Sequence, residues 1–120
     1  MSLENRAALS LLRMKKAEEA LADAKMLVGL ERYSLAANRS YYAVFYAMRA
    51  VLALDGVDRR HHSGVIAEFR RKYIKSGIFE KKLSEIIRDL FDLRADSDYD
   101  DFLSYQKRKS MNRLKMQNIL

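Results

Sequence analysis

The chain contains no cysteine, no proline and only four glycines in 120 residues. Without cysteine, disulfides, thiolate metal sites and cysteine nucleophiles are all excluded. That absence fits a reducing compartment, and a cytoplasmic protein is expected. Without proline nothing in the sequence interrupts a long helix, so Gly29, Gly56, Gly64 and Gly77 are the expected breaks. Long apolar runs are also missing. In the central segment the longest stretch without a charged residue is 40–48, far short of the roughly 20 residues a membrane span needs. Glu4 and Arg6 stand where a secretory leader would carry its apolar region. Neither a membrane contact nor a leader is expected. Glycine-rich phosphate cradles, a paired-histidine zinc motif and a nucleophile elbow are absent as well, so no cofactor and no metal are called for.

What is present is enough for one folded domain, residues 1–120, with an apolar fraction of 49%. The formal charge of +7 favours acidic partners such as RNA or nucleotides, although a solvated surface accounts for it equally well. The charge is unevenly spread. Residues 58–75 hold eight Lys, Arg or His against two acids, residues 96–101 hold four aspartates, and residues 102–120 hold five bases and no acid.

Helical periodicity dominates. Residues 3–28 repeat Leu9, Leu12, Ala17, Ala20, Leu21, Ala24, Leu27 and Val28 at helical spacing, the alanines permitting a neighbouring helix to come close. Gly29 is the expected stop. Ser63 is the expected cap of a helix striped by Val65, Ile66, Phe69, Tyr73 and Ile74. After Ser76–Gly77, a further face joins Phe79, Leu83, Ile86, Ile87, Leu90 and Phe91. Residues 102–120 favour helix without forming a clean stripe. No strand pattern or repeat is found. The expectation is an all-α, four- to five-helix up-and-down bundle opening with a long antiparallel hairpin.

The most informative segment is 35–54, LAANRSYYAVFYAMRAVLAL. It is apolar on most faces, which places it inside the bundle. Arg39, Tyr42, Tyr46 and Arg49 nevertheless fall within an arc of roughly 80° on the helix. One reading is a ligand groove with guanidinium groups suited to phosphate. The other is a core whose tyrosine hydroxyls are satisfied and whose arginines pair with acids such as Asp96 or Asp98. His61 and His62 precede a helix start, a place that favours anions, or are simply exposed. The aspartates from Asp96 to Asp101 do not make a calcium loop, since Asp101 and Lys107 stand where Gly and Glu are required. Lys107, Arg108, Lys109, Arg113 and Lys115 either follow a phosphate backbone or form a solvated face.

Four blocks in series resemble a HEPN domain: ANRSYYAVFYAMRA at residues 37–50, HSGVI at 62–66 with Phe69, KSG at 75–77, and LRADSDYD at 93–100. They are most similar to the stand-alone prokaryotic type often encoded beside a minimal nucleotidyltransferase. The resemblance implies a four- or five-helix bundle, a homodimer, and a polar cleft near the dimer axis. It implies a toxin–antitoxin-like system in which active members are metal-independent ribonucleases and the nucleotidyltransferase is the antitoxin. The family's signature is an arginine followed four to six residues later by histidine. Here Arg94 holds the arginine place, and the fifth residue after it is Tyr99. A phenol with pKa near 10 is only about 0.1% ionised at pH 7, a poor general base beside imidazole.

Three functions therefore stand side by side. One is a partner of a nucleotidyltransferase binding nucleotide or RNA through Arg39, Tyr42, Tyr46, Arg49, His62 and Asp98. Another is a ribonuclease in which Arg94 steadies phosphate while Tyr99 or a loop histidine moves protons. The last is a purely structural helical module.

Overall fold

The computed structural model describes residues 2–96 and Arg113, and within these it contains four α-helices and no strand. They are α1 (Leu3–Gly29), α2 (Tyr33–Leu54), α3 (His62–Phe69) and α4 (Lys81–Asp96), with a π-helical turn at Arg70–Ile74. The all-α bundle is as expected. Residues 102–120, where a fifth helix was expected, and the basic tail apart from Arg113 lie outside the described residues.

Helix α1 starts at Ser2, whose Oγ accepts the Asn5 N–H at 3.1 Å, with Glu4 in the first turn to complement the helix dipole. It ends at Gly29, the expected stop. Arg32 N donates to Leu27 O and Glu31 N to Val28 O, and the left-handed residue is Glu31, with φ of 59°, rather than Gly29. At the end of α2 the same closing pattern has glycine where it is needed. Gly56 has φ of 75°, its N–H bonds Ala53 O, and Val57 N–H bonds Leu52 O. A methyl group on Gly56 would also lie 2.7 Å from Arg6 Cζ, so α1 seals this corner.

The three-residue turn sends α2 back along α1. Arg6 meets Gly56, Arg13 Nη1 reaches Arg49 O, and Lys16 Nζ lies 5.9 Å from the Tyr46 ring. Each step forward along α1 is matched by an equal step back along α2, which is the register of an unslipped antiparallel hairpin. The face that α1 buries is Arg13, Ala17, Ala20 and Ala24; Leu12 and Leu21, expected in that stripe, are exposed. Small side chains lie at the seam because they let two backbones approach. Leucines there would hold the helices apart.

The opposite face of α2 carries the large residues. Tyr41, Phe45, Met48 and Leu52 form the core with Val65, Ile66 and Phe69 of α3, Ile74, and Ile87, Leu90 and Leu93 of α4. Between Phe69 and Ile74 an ordinary helix would rotate the second residue off the core. The π-turn, closed by Lys75 N to Arg70 O at 2.8 Å, brings both inward. Phe79 lies before α4 and stacks on Phe69 at 5.6 Å, while Phe91 is 42% exposed. Both were expected on the buried stripe of one helix. Tyr73 donates a hydrogen bond to Asp55, and burial first and then that bond push its pKa up to about 12. This contact fastens the π-turn to the end of α2. No helix among the described residues is long and apolar enough to cross a membrane.

The alanine seam makes a sharp prediction. Ala24→Leu, at a fully buried position, should cost about 1–3 kcal/mol by overpacking. Leu11→Ala, 73% exposed on the same helix, should change stability by less than about 0.5 kcal/mol. Urea unfolding of both variants checks it; equal losses would contradict the seam.

Candidate functional site

With α2 packed on two sides, two half-exposed strips remain between the packed faces. Val44, Ala47 and Val51 lie on one, and Arg39, Tyr42, Tyr46 and Arg49 lie on the other. The structure divides these four residues between two settings. Tyr42 lies at the centre of one. Arg39 Cζ lies 5.3 Å from its ring centroid, and Arg94 Cζ, arriving from the end of α4, lies 5.5 Å from the same ring. Arg94 Nη2 also donates to Tyr42 Oη at 3.4 Å, and Arg94 Cζ lies 5.1 Å from the Tyr41 ring. Aromatic faces attract guanidinium groups, and two of them converge on this one ring. Arg39 completes its contacts with Asn38 Oδ1, at 3.2 Å from Nε and 3.0 Å from Nη2.

Arg49 belongs to the other setting. Its Nη2 donates to Asp58 Oδ1 at 2.8 Å, and the same oxygen accepts from Arg13 Nη2 at 2.9 Å. The sequence reading offered Asp96 or Asp98 as acids for these arginines; for Arg49 the acid is Asp58. The bond from Arg49 is foremost in holding the Asp58 carboxyl below its ordinary range, with Arg13 adding to it. One carboxylate thus clasps α1, α2 and the loop before α3. Tyr46 stands 5.8 Å from Tyr42, under the Lys16 ammonium group.

His62 is the first residue of α3, with His61 and not Ser63 at the cap position. The short loop that Asp58 anchors delivers its ring into an aromatic nest: 4.2 Å from Phe45, 5.6 Å from Tyr41 and 5.8 Å from Tyr42. Tyr41 Oη and His62 Nδ1 are hydrogen-bonded at 2.7 Å. In the tautomer protonated at Nε2 the phenol is the donor. Burial, followed by the positive charges of Arg94 and Arg49, lowers the His62 pKa. Burial raises that of Tyr41, against the pull of Arg94. At neutral pH the pair is therefore a neutral imidazole held by a neutral phenol.

Tyr41 and Phe45 were not singled out in the sequence, because both sit on the apolar arc. The available signal was chemical: a tyrosine on a wholly buried face needs a partner for its hydroxyl. Arg94 is placed as described, while Tyr99 and Asp98 lie outside the described residues. Among the described residues, no group of three His, Cys, Asp or Glu side chains gathers to hold a metal ion.

A model of the HEPN domain matches residues 10–117. The chain belongs to the HEPN domain family. It is similar to a Thermotoga maritima protein named UPF0332, 38% identical over 93 residues that cover 78% of this chain and 70% of the relative. An Archaeoglobus fulgidus UPF0332 protein is 33% identical over 104 residues, 87% of this chain and 82% of its own. A Methanocaldococcus jannaschii protein named "putative toxin" is 31% identical over 97 residues, 81% of this chain and 66% of its own. The resemblance read from four sequence blocks is thereby shown, and the HEPN bundle is the frame in which the cluster sits.

The charge coupling within the cluster is measurable. His62 should titrate below its ordinary value of about 6.5. Because the folded pKa lies below the unfolded one, its contribution to stability is complete above about pH 6.5 and is lost as the pH falls toward the lowered value. Arg94→Gln should move the titration upward by removing a nearby positive charge. NMR titration of the imidazole Cε1–H checks this, and an unmoved midpoint would separate the two residues.

Proposed function

We propose that this HEPN chain is a toxin-like protein that binds RNA or nucleotide phosphate on the Arg39–Tyr42–Arg94 cluster. The observation that carries the reading is the convergence of two guanidinium groups, from different helices, over one half-exposed phenol ring. Guanidinium forks recognise phosphate oxygens, and an adjoining aromatic ring offers a base a stacking surface. The net charge of +7 and the toxin name carried by a relative point the same way. The reading includes a minimal nucleotidyltransferase as protein partner and a homodimer. Leu35, one turn before Arg39, and Leu21 are exposed apolar residues that a second copy would cover.

Binding to single-stranded RNA, followed by fluorescence anisotropy over a salt series, tests it. Arg39→Gln and Arg94→Gln should each weaken binding about tenfold, as expected for one charge-assisted contact. Each should also reduce the salt slope by about 0.7. Affinity unchanged in both variants would refute the reading.

A second reading, catalysis, is favoured by the Tyr41–His62 bond at 2.7 Å. The sequence has no histidine at the family's usual place after Arg94, and His62, arriving from α3, would supply the imidazole instead. In the tautomer protonated at Nδ1, which donates to Tyr41 Oη, Nε2 of the neutral imidazole is free to act as general base for the 2′-hydroxyl of RNA, with Arg94 steadying the phosphate and Tyr41 positioning the ring. RNA should then be cleaved in the presence of a chelator, with an acid limb at the His62 pKa, and His62→Ala should abolish cleavage. Adding the nucleotidyltransferase partner should suppress it. Cleavage persisting at full rate in His62→Ala would remove His62 from the chemistry.

A further inference from the structure

RNA cleavage by its own 2′-hydroxyl needs two proton transfers, and His62 accounts for one. As the 2′-oxygen bonds to phosphorus, the bond from phosphorus to the 5′-oxygen breaks. That oxygen must leave as an alkoxide unless a positioned acid protonates it. The attacking and leaving oxygens stand roughly in line across the phosphorus, so base and acid serve a single phosphate. The acid therefore belongs beside Arg94, the group that steadies that phosphate.

Two phenols lie against Arg94. Tyr41 is only 2% exposed, and its Oη is held on His62 Nδ1 at 2.7 Å, so it has a partner already and little access to substrate. Tyr42 is half-exposed, and its Oη is the atom to which Arg94 Nη2 donates at 3.4 Å. Its ring stands edge-on to that of His62, with 5.8 Å between centres and 87° between planes. Hydroxyl, imidazole and guanidinium thus adjoin one another, and a phosphate on Arg94 would lie within reach of Tyr42 Oη. The carboxylate tied to this region, Asp58, is shared between Arg49 and Arg13 and is ionised, so it has no proton to give.

Phenols suit the task. At neutral pH a phenol is almost wholly protonated, which makes it a poor base but keeps its proton available. A ribose alkoxide is a far stronger base than a phenolate, so the transfer runs downhill. A guanidinium group donating to the phenol oxygen stabilises the phenolate as it forms.

We infer, on the catalytic reading of this cluster, that Tyr42 is the general acid of the cleavage. His62 Nε2 takes the proton of the 2′-hydroxyl, and the 2′-oxygen bonds to phosphorus. The bond from phosphorus to the 5′-oxygen breaks, and the electron pair left on that oxygen takes the proton of Tyr42 Oη. The products are a 2′,3′-cyclic phosphate and a 5′-hydroxyl. Water then returns a proton to the phenolate and accepts the one held by the imidazolium.

The test replaces the leaving atom. The bond that the full chain cleaves in single-stranded RNA is mapped, and a short RNA is made with oxygen or sulfur as the 5′ bridging atom at that bond. A thiolate is a far weaker base than an alkoxide and leaves without a proton. Tyr42→Phe keeps the ring beside Arg39 and Arg94, so RNA affinity should be unchanged. This variant should cleave the oxygen substrate about a hundredfold more slowly, or slower still, and the sulfur substrate at the rate of the unaltered chain. His62→Ala should be impaired on both. Tyr42→Phe matching the unaltered chain on the oxygen substrate, or losing equally on both substrates, would overturn the inference and leave His62 as the base. An unaltered chain that cleaves no RNA would overturn it together with the catalytic reading.

Discussion

The structure depends on the burial of α2 from two sides. A helix packed against α1 by small residues and against α3 and α4 by large ones has little circumference left. Its polar side chains either find a partner inside, as Tyr41 does in His62, or emerge along a narrow strip. Tyr42, Tyr46, Arg39 and Arg49 are confined there, and the neighbouring elements determine what each meets. The alanine seam matters for the same reason. It brings α1 close enough for Arg13 to reach both Arg49 O and Asp58.

From this confinement follows the electrostatics of the cluster. Five cationic side chains stand within reach of α2's polar strip, and they are held in two different ways. Arg13 and Arg49 are neutralised by Asp58, a structural arrangement that also holds the loop leading to His62. Arg39, Arg94 and Lys16 lie over aromatic rings, which attract cations. The first arrangement builds the fold and the second gathers cationic groups along the half-exposed edge of α2. Burial lowers the His62 pKa first, and Arg94 and Arg49 lower it further, so the imidazole is coupled to both settings.

Where sequence reading and structure diverge, the divergences share a cause. Leu12 and Leu21 were assigned to the buried face because leucine is the more apolar residue, yet alanine occupies the seam. There the helix separation outweighs side-chain hydrophobicity. The helix stops at Gly29, but the left-handed residue of the closing turn is Glu31, since the hydrogen bonds to Leu27 and Val28 require it two positions later. The π-turn was hidden because Val65, Ile66, Phe69 and Ile74 satisfy a loose helical pattern, and only the five-residue gap between the last two hinted at it. Tyr41 passed as one more apolar-face residue until its hydroxyl found His62.

The sequence by itself determined the helical class, the family, the place of α2 at the centre and the polar row along it. Those properties follow from periodicity, from the absence of proline and from local blocks of residues, all of which act over a few turns of chain. Only the tertiary structure decided that Arg49 belongs to Asp58, that Arg94 joins Arg39 over Tyr42, and that His62 rests on Tyr41. These are contacts across separations of 9 to 52 residues, set by helix register and loop anchoring, and local periodicity carries no information about either.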